Sequence, residues 1–155
     1  MEKTDVSITI YIREKGVVLK EKSLMALDAG SKKILAFGTE AELMAESEAE
    51  NVEIAAPLAG GRVTDYRLTV KLFLCLLHKA GVNGSLFHKP QIALSIPEGT
   101  ADAEKKVLED VLYQAGAGKV FVSEMRMEQL VLSLSRDSDK TLKGFQTVIG
   151  ITEEE

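Results

Sequence analysis

The chain has 155 residues, of which 45% are hydrophobic and 28% are charged, enough for one globular domain with its own core. That length is too short for a two-domain nucleotide-binding machine. The formal net charge of −5 argues against a nucleic-acid partner, because binding a phosphate backbone needs clustered positive charge.

The single cysteine, Cys75, excludes an intrachain disulfide and a cysteine-based zinc site. It lies in an apolar run, so we interpret it as a small buried hydrophobic residue rather than a nucleophile. No segment reaches the roughly eighteen apolar residues of a membrane span. The polar residues 1–5 lack the apolar region of a signal peptide, so we expect a cytoplasmic protein without a transmembrane segment.

The first third of the chain has the pattern of short strands. Alternation of β-branched residues predicts a strand over residues 6–13, with a turn at Gly16. Further strands are predicted at residues 17–19, 23–28, 34–37 and 52–55. Between the last two, Thr39 is predicted to cap a short acidic helix, with Glu42 as its capping-box partner.

The rest of the chain alternates helices with strands. Thr64 or Asp65 is predicted to cap a long apolar helix, which ends in residues 80–85, after a turn at residues 60–61. Thr100 is predicted to cap a second helix, which ends at residues 116–118. The remaining predictions are strands at 91–96, 119–122 and 145–151, a helix from 124 to about 134, and a polar loop at 135–140.

This order predicts an α/β fold with a mixed sheet, right-handed crossovers and helices on both faces. We expect a single domain over residues 1–155. Residues 20–57 would form a small inserted α/β subdomain.

Five stretches in this order carry a resemblance to a known family. Four of them are similar to the family's segments KVLAVGEEA, PLKDGVIADF, IPSGITEVER and AGAREVYLIEE, and one to its second strand, hairpin and third strand. Together they resemble the first domain of the bacterial actin homologue MreB, the rod-shape determining protein, in the actin/Hsp70/sugar-kinase superfamily. The stretches here are residues 11–19 (YIREKGVVL), 33–41 (KILAFGTEA), 57–66 (PLAGGRVTDY), 96–100 (IPEGT, followed by Glu104 and Lys105) and 115–124 (AGAGKVFVSE).

The resemblance implies an actin-like (ribonuclease H-like) fold and a cell-shape or cytoskeletal setting. It also implies an ATP site, from which this sequence departs. The family's glycine loop between its first two strands, DLGTANT, aligns with residues 2–7, which contain no glycine. Its activating glutamate aligns with Met125, and the proline after it aligns with Arg126. Its second loop, DIGGGTT, aligns with residues 149–153, where one glycine remains and the glutamates that end the chain would repel phosphate.

We therefore expect the chain not to hydrolyse ATP and not to be an enzyme. We also expect it to have no cofactor and no catalytic, cofactor-binding or metal-ligating residues. Whether any nucleotide binding survives stays open at this point.

In the family, the first strand is central in its sheet and lies between the second strand and the strand after the first buried helix. In this sequence, no strand is predicted before the segment that aligns with the family's second strand. Without the first strand, two strand edges would keep unpaired backbone groups. We hypothesise that residues 145–151 fill the central position, within one chain or by exchange between two chains in a homodimer. A location away from residues 6–12 and 91–96 would reject this.

Other candidate residues have structural interpretations. His78 and His88 lack a third metal ligand and are expected at the surface. Asp65 is interpreted as a helix cap rather than a catalytic carboxylate. Residues 116–118 follow a helix and precede a strand, the reverse of a phosphate loop. Met125 and Met127 are expected to be core or interface residues.

The sequence favours an MreB-like cell-shape protein that has lost its nucleotide site and acts through protein partners. The first alternative is an ATP-binding fragment of an actin-like ATPase, completed by a partner chain. The second is a scaffold of the same superfamily in another pathway, such as microcompartment or pilus assembly.

Overall fold

The computed structural model describes residues 5–60, 62–82, 88–134 and 142–154. Several sequence predictions fall outside these described residues. They are the aligned loop before residue 5, Gly61 of the predicted turn, the helix end at residues 83–85, the polar loop at residues 135–140, and Glu155.

The described elements follow the predicted order of strands first and alternating helices and strands afterwards. In the first part they are β1 (Asp5–Ile12), β2 (Gly16–Lys22), β3 (Met25–Asp28), β4 (Ile34–Phe37), α1 (Thr39–Glu46), β5 (Val52–Ala55), β6 (Leu58–Ala59) and β7 (Arg62–Val63). In the second part they are α2 (Tyr66–Lys79), β8 (Gln91–Ser95), α3 (Asp102–Gln114), β9 (Lys119–Ser123), α4 (Met127–Leu134) and β10 (Thr147–Glu154).

The main sheet has five strands in the order β2-β1-β10-β8-β9. The last strand, β10, is central: it pairs antiparallel with β1, where Ile8 lies opposite Ile151, and parallel with β8. This confirms the hypothesis that the last strand fills the central position, and here it does so within one chain. The strand extends to Glu154, further than predicted, because its pairing with β1 continues to Asp5.

A second, three-stranded sheet has the order β4-β3-β5 and packs against α1. These elements lie inside residues 20–57, which were predicted to form the inserted part. The two-residue strands β6 and β7 form a hairpin where only a turn was predicted. Strands of two residues are too short to give a periodic pattern.

The core is built by the strict alternation of the central strands. Ile8, Ile149 and Leu94 face α2 and α3, and they belong to the same buried cluster as Leu72 and Leu112 of those helices. Burial of each such side chain contributes about 1.5–3 kcal/mol relative to leaving it in water.

The opposite face of the sheet packs against α4. Leu130 and Leu134 of this helix are buried with Phe145, Val148 and Ala93. The fold is therefore α/β with helices on both faces, as predicted.

Two predicted helix caps are wrong. Thr39 is the first residue of α1 rather than its N-cap, which is Gly38. The N–H and hydroxyl of Thr39 both donate to Oε2 of Glu21, each at 2.7 Å. A carboxylate that is distant in sequence therefore accepts the hydrogen bonds at the start of this helix. Likewise α3 is capped by Ala101, because the hydroxyl of Thr100 donates to the Pro97 carbonyl at 2.6 Å instead.

Candidate functional site

The pairing among the three parallel strands β10, β8 and β9 ends at one edge of the main sheet, where β8 and β9 stop and β10 continues beside β1 alone. Gly150 lies beside Ser95, and Ser95 lies beside Ser123, so the segments that follow these residues emerge together. In open α/β sheets this edge is the usual place for a ligand. It carries a cleft of about 440 Å³, lined by Gly60, Arg62, Pro97, Glu98, Gly99, Thr100, Ala101, Glu104 and Glu153.

The charged side chains that line this cleft are mainly acidic. Glu98, Glu104 and Glu153 contribute carboxylates, and Arg62 is the one basic residue among the lining residues. The Nε of Arg62 lies 3.8 Å from Oε1 of Glu104, so its charge is shared with a carboxylate of the same cleft. Because like charges repel, this arrangement disfavours a polyanionic ligand and favours neutral or cationic groups.

The loop after β8 is fastened to the end of β9 by Glu124. The N–H of Gly99 donates to Oε1 of Glu124 at 2.6 Å, and the Nζ of Lys105 lies 3.4 Å from Oε2. The Gly99 hydrogen bond, followed by that of Lys105, lowers the pKa of the Glu124 carboxyl. Local sequence patterns give no sign of this role, because the two partners of Glu124 lie 25 and 19 positions before it along the chain.

Met125, aligned with the family's activating glutamate, is held through its backbone. Its N–H donates to the Ser123 hydroxyl at 3.0 Å, and its carbonyl accepts from the Ser95 hydroxyl at 2.6 Å. The side chain is 40% exposed, which excludes the predicted core position and leaves the interface one. A thioether is only a weak acceptor, so it orients a water poorly.

Gly150, the glycine that remains at the second aligned loop, lies inside β10. It pairs with Thr9 of β1 and Ser95 of β8. A Cβ atom built there would lie 2.6 Å from the Sδ of Met127, so the glycine allows α4 to pack closely on the sheet. Its position in a paired strand differs from the open loop that lets a backbone approach a phosphate.

Asp65, His78 and His88 have the structural roles predicted for them. Asp65 is the N-cap of α2 and accepts a hydrogen bond from the Leu68 N–H at 3.0 Å. His78 and His88 are exposed, and Met127 is partly buried beside α4's core cluster. Cys75 is only half-buried, where a buried position was predicted, and this partial burial raises the pKa of its thiol.

Within the described ranges, no three His, Cys, Asp or Glu side chains are grouped closely enough to hold a metal ion. None of the helices described combines the length and apolar character needed to cross a bilayer.

Comparison with known proteins gives consistent matches. The family model described as MreB/Mbl protein matches residues 4–131. The cell shape-determining protein Mbl of Bacillus subtilis is 31% identical over 118 residues, and MreB of Escherichia coli is 28% identical over 122 residues. Both alignments cover 76% of this chain and 35% of the relative, so the chain spans about a third of their length.

Two solved structures of MreB5 from Spiroplasma citri resemble the fold. The one bound to ADP has a TM-score of 0.67 and 22% identity, and the one bound to AMPPNP has a TM-score of 0.63 and 21% identity. Each match covers 85% of this chain and 39% of the other. At these identities the likeness supports the actin-like fold.

The sequence prediction about enzymatic activity is wrong. We expected the chain not to be an enzyme, whereas the structures that it resembles are of MreB5 bound to ADP and to AMPPNP. The expectation relied on departures within a single chain that spans about a third of its relatives.

Proposed function

Because this chain belongs to the MreB/Mbl family of bacterial cell shape-determining proteins, we propose that it works in a cytoplasmic cell-shape assembly through contacts with other proteins. In this proposal, the chain on its own does not hold a nucleotide. Its surface, rather than a nucleotide-dependent change of conformation, selects its partners.

The observation that carries the proposal is the charge of the cleft at the carboxyl edge of the main sheet. Three glutamates line it, and its one arginine is close to one of them. A triphosphate brought to this cleft would meet net negative charge. Phosphate sites in proteins instead present backbone N–H groups and unshared cations.

Two further features agree with this proposal. Gly150 has its backbone in the ladder of β10 and serves the packing of Met127. Met125 offers a thioether where the resemblance places an activating carboxylate. Neither residue supplies the group that would hold or activate a nucleotide.

Isothermal titration of the purified chain with magnesium-ATP tests the proposal. We expect no saturable heat at concentrations up to about 1 mM, which is an affinity weaker than about −4 kcal/mol. Binding in the micromolar range by the chain alone would overturn it.

A second candidate function is that of an ATP-binding part of an MreB-type protein, completed by a partner chain. The observation that favours it is coverage: the chain spans 39% of the nucleotide-bound MreB5 chain that it resembles. Repeating the titration after adding a candidate partner separates the two, since only this second function predicts affinity that depends on the partner.

A further inference from the structure

The sequence contains five methionines, and the structure describes four of them. Met25 is completely buried in the main core, and Met44 packs against the buried cluster of the small sheet. Met125 is 40% exposed, and Met127, the first residue of α4, is partly buried. These four thioethers therefore differ both in their access to solvent and in their packing.

Met127 is accessible from an open groove on the α4 side of the main sheet. The groove has a volume of about 780 Å³, and its lining includes Met127 together with Tyr11 and Val17 of the sheet. This volume is far larger than the roughly 30 Å³ that one water molecule occupies in the liquid. A small oxidant such as hydrogen peroxide therefore reaches this side chain in the folded protein.

The same side chain makes a close contact with the central strand. A Cβ atom built on Gly150 would lie 2.6 Å from the Sδ and 3.2 Å from the Cγ of Met127, so the thioether lies directly against the backbone of β10. Met127 also packs on the buried cluster that holds α4 to the sheet, which includes Leu130 and Phe145. The thioether is thus an apolar anchor at the start of α4.

We propose that Met127 is an oxidation site that determines how tightly α4 packs on the main sheet. The oxidant is a peroxide: a lone pair of the sulfur attacks one peroxide oxygen, an S–O bond forms and the O–O bond breaks. The sulfur gives up two electrons, so the thioether and hydrogen peroxide yield a sulfoxide and water.

Oxidation weakens the anchor because it changes the polarity of the sulfur. A sulfoxide is polar, and keeping it in an apolar contact without a hydrogen bond is unfavourable. The side chain therefore turns toward the water of the groove, and the first turn of α4 separates from β10. Apolar residues beneath the helix then become exposed, which changes the surface presented to other proteins. This inference goes beyond the proposed function and does not depend on it.

The other described methionines lack this combination of access and packing. Met125 is more exposed, but the hydrogen bonds that hold it are made by its backbone, so its oxidation should leave α4 in place. Met25 is completely buried and is shielded from a dissolved oxidant. Met44 belongs to α1, so its oxidation would act on the small sheet.

The test is treatment of the full chain with dilute hydrogen peroxide, in a Cys75→Ser background that removes the thiol. Peptide mapping by mass spectrometry follows each sulfoxide, and hydrogen exchange follows the α4 amides. We expect Met127 to be oxidised before Met25. Exchange in α4 should then become about tenfold faster, with a smaller change in α2. Methionine sulfoxide reductases with a thiol reductant should restore the original rate.

Met127→Leu and Met125→Leu are matched variants, because the two methionines are two positions apart and leucine has a similar volume without an oxidisable sulfur. Each variant is compared with its own untreated sample, which separates oxidation from the effect of the substitution. After peroxide treatment, α4 in Met127→Leu should keep its slow exchange, whereas Met125→Leu should respond as the parent does.

Unchanged exchange of α4 in protein whose Met127 is fully oxidised would overturn the inference. So would a Met127 that reacts no faster than Met25, an equal acceleration in α2, or a faster α4 in oxidised Met127→Leu. None of these results affects the proposed function, which is tested separately by the titration with magnesium-ATP.

Discussion

The Nζ of Lys79, the last residue of α2, lies 2.6 Å from Oε1 of Glu21, a carboxylate on β2 that is only 8% exposed. The second oxygen of Glu21 accepts hydrogen bonds from the N–H and hydroxyl of Thr39 at the start of α1. One buried carboxylate thus connects the main sheet, the end of the long helix and the start of the small sheet's helix. It replaces a side-chain cap for α1 and places a cation near the C-terminal end of α2.

Replacing Glu21 by glutamine should destabilise the fold by about 1–3 kcal/mol, because it weakens three hydrogen bonds at a buried position. The measurement is urea unfolding followed by circular dichroism. Glu53→Gln is the control: Glu53 pairs with Lys32 at the surface, where such pairs contribute less than about 1 kcal/mol. Equal effects of the two substitutions would refute the role given to Glu21.

The same carboxylate predicts a pH dependence of stability. Burial raises the pKa of Glu21, but the hydrogen bonds from Lys79 and Thr39 and the charge of Lys79 outweigh it, so the pKa lies below the ordinary value of 4.5. The contribution is therefore present above pH 4.5. It is lost as the pH falls toward the lower pKa of the folded state, because the unfolded state binds the proton first. We expect this acid limb to be shallower in Glu21→Gln than in wild type, and superimposable curves would contradict the assignment.

Substituting alanine for Gly38 should disturb the contact between Glu21 and the start of α1. Gly38 has a φ of +67°, and a Cβ atom there would lie 2.8 Å from Cδ of Glu21. Because both backbone strain and this clash oppose the side chain, we expect a loss of about 2–4 kcal/mol by urea unfolding. Gly30→Ala should be nearly neutral, since its nearest neighbour would be at an ordinary contact distance of 3.5 Å. An unchanged free energy of unfolding in Gly38→Ala would contradict the close approach of residue 38 to the Glu21 side chain.

The packing of α4 on the central strand gives a prediction with a built-in rescue. In Gly150→Ala the new methyl group meets the Met127 side chain, and we expect a loss of about 1–3 kcal/mol from overpacking. The double substitution Gly150→Ala with Met127→Ala should lose less than the sum of its parts, because the shorter side chain removes the clash. Unfolding free energies for the four proteins of this cycle measure the coupling between the two positions. Strictly additive losses would contradict the contact between residue 150 and Met127.

Local sequence patterns were sufficient to predict much of the fold. The alternation in β1 and the placement of Asp65 before α2 are confirmed, because both depend on neighbours within a few residues. The central position of β10 could also be predicted, since an empty place between two strands leaves backbone groups that require a partner.

Long-range contacts could not be predicted in this way. Glu21 lies 18 positions before Thr39, so the pattern around Thr39 indicated an ordinary capping box instead. Glu124 fastens the loop at Gly99 through a contact 25 positions away. At the candidate site, sequence comparison indicated which groups are replaced, whereas the close packing of Gly150 against α4 required the folded structure.

The central claim is that β10 completes the main sheet from within the chain and thereby brings Glu153 to the cleft. Amide hydrogen exchange by NMR tests it most directly, at a concentration where sedimentation shows a monomer. The account predicts that the amides of Val148 and Ile149 exchange only through global unfolding, as slowly as those of β8. Rapid exchange of these amides in a folded monomer would contradict it.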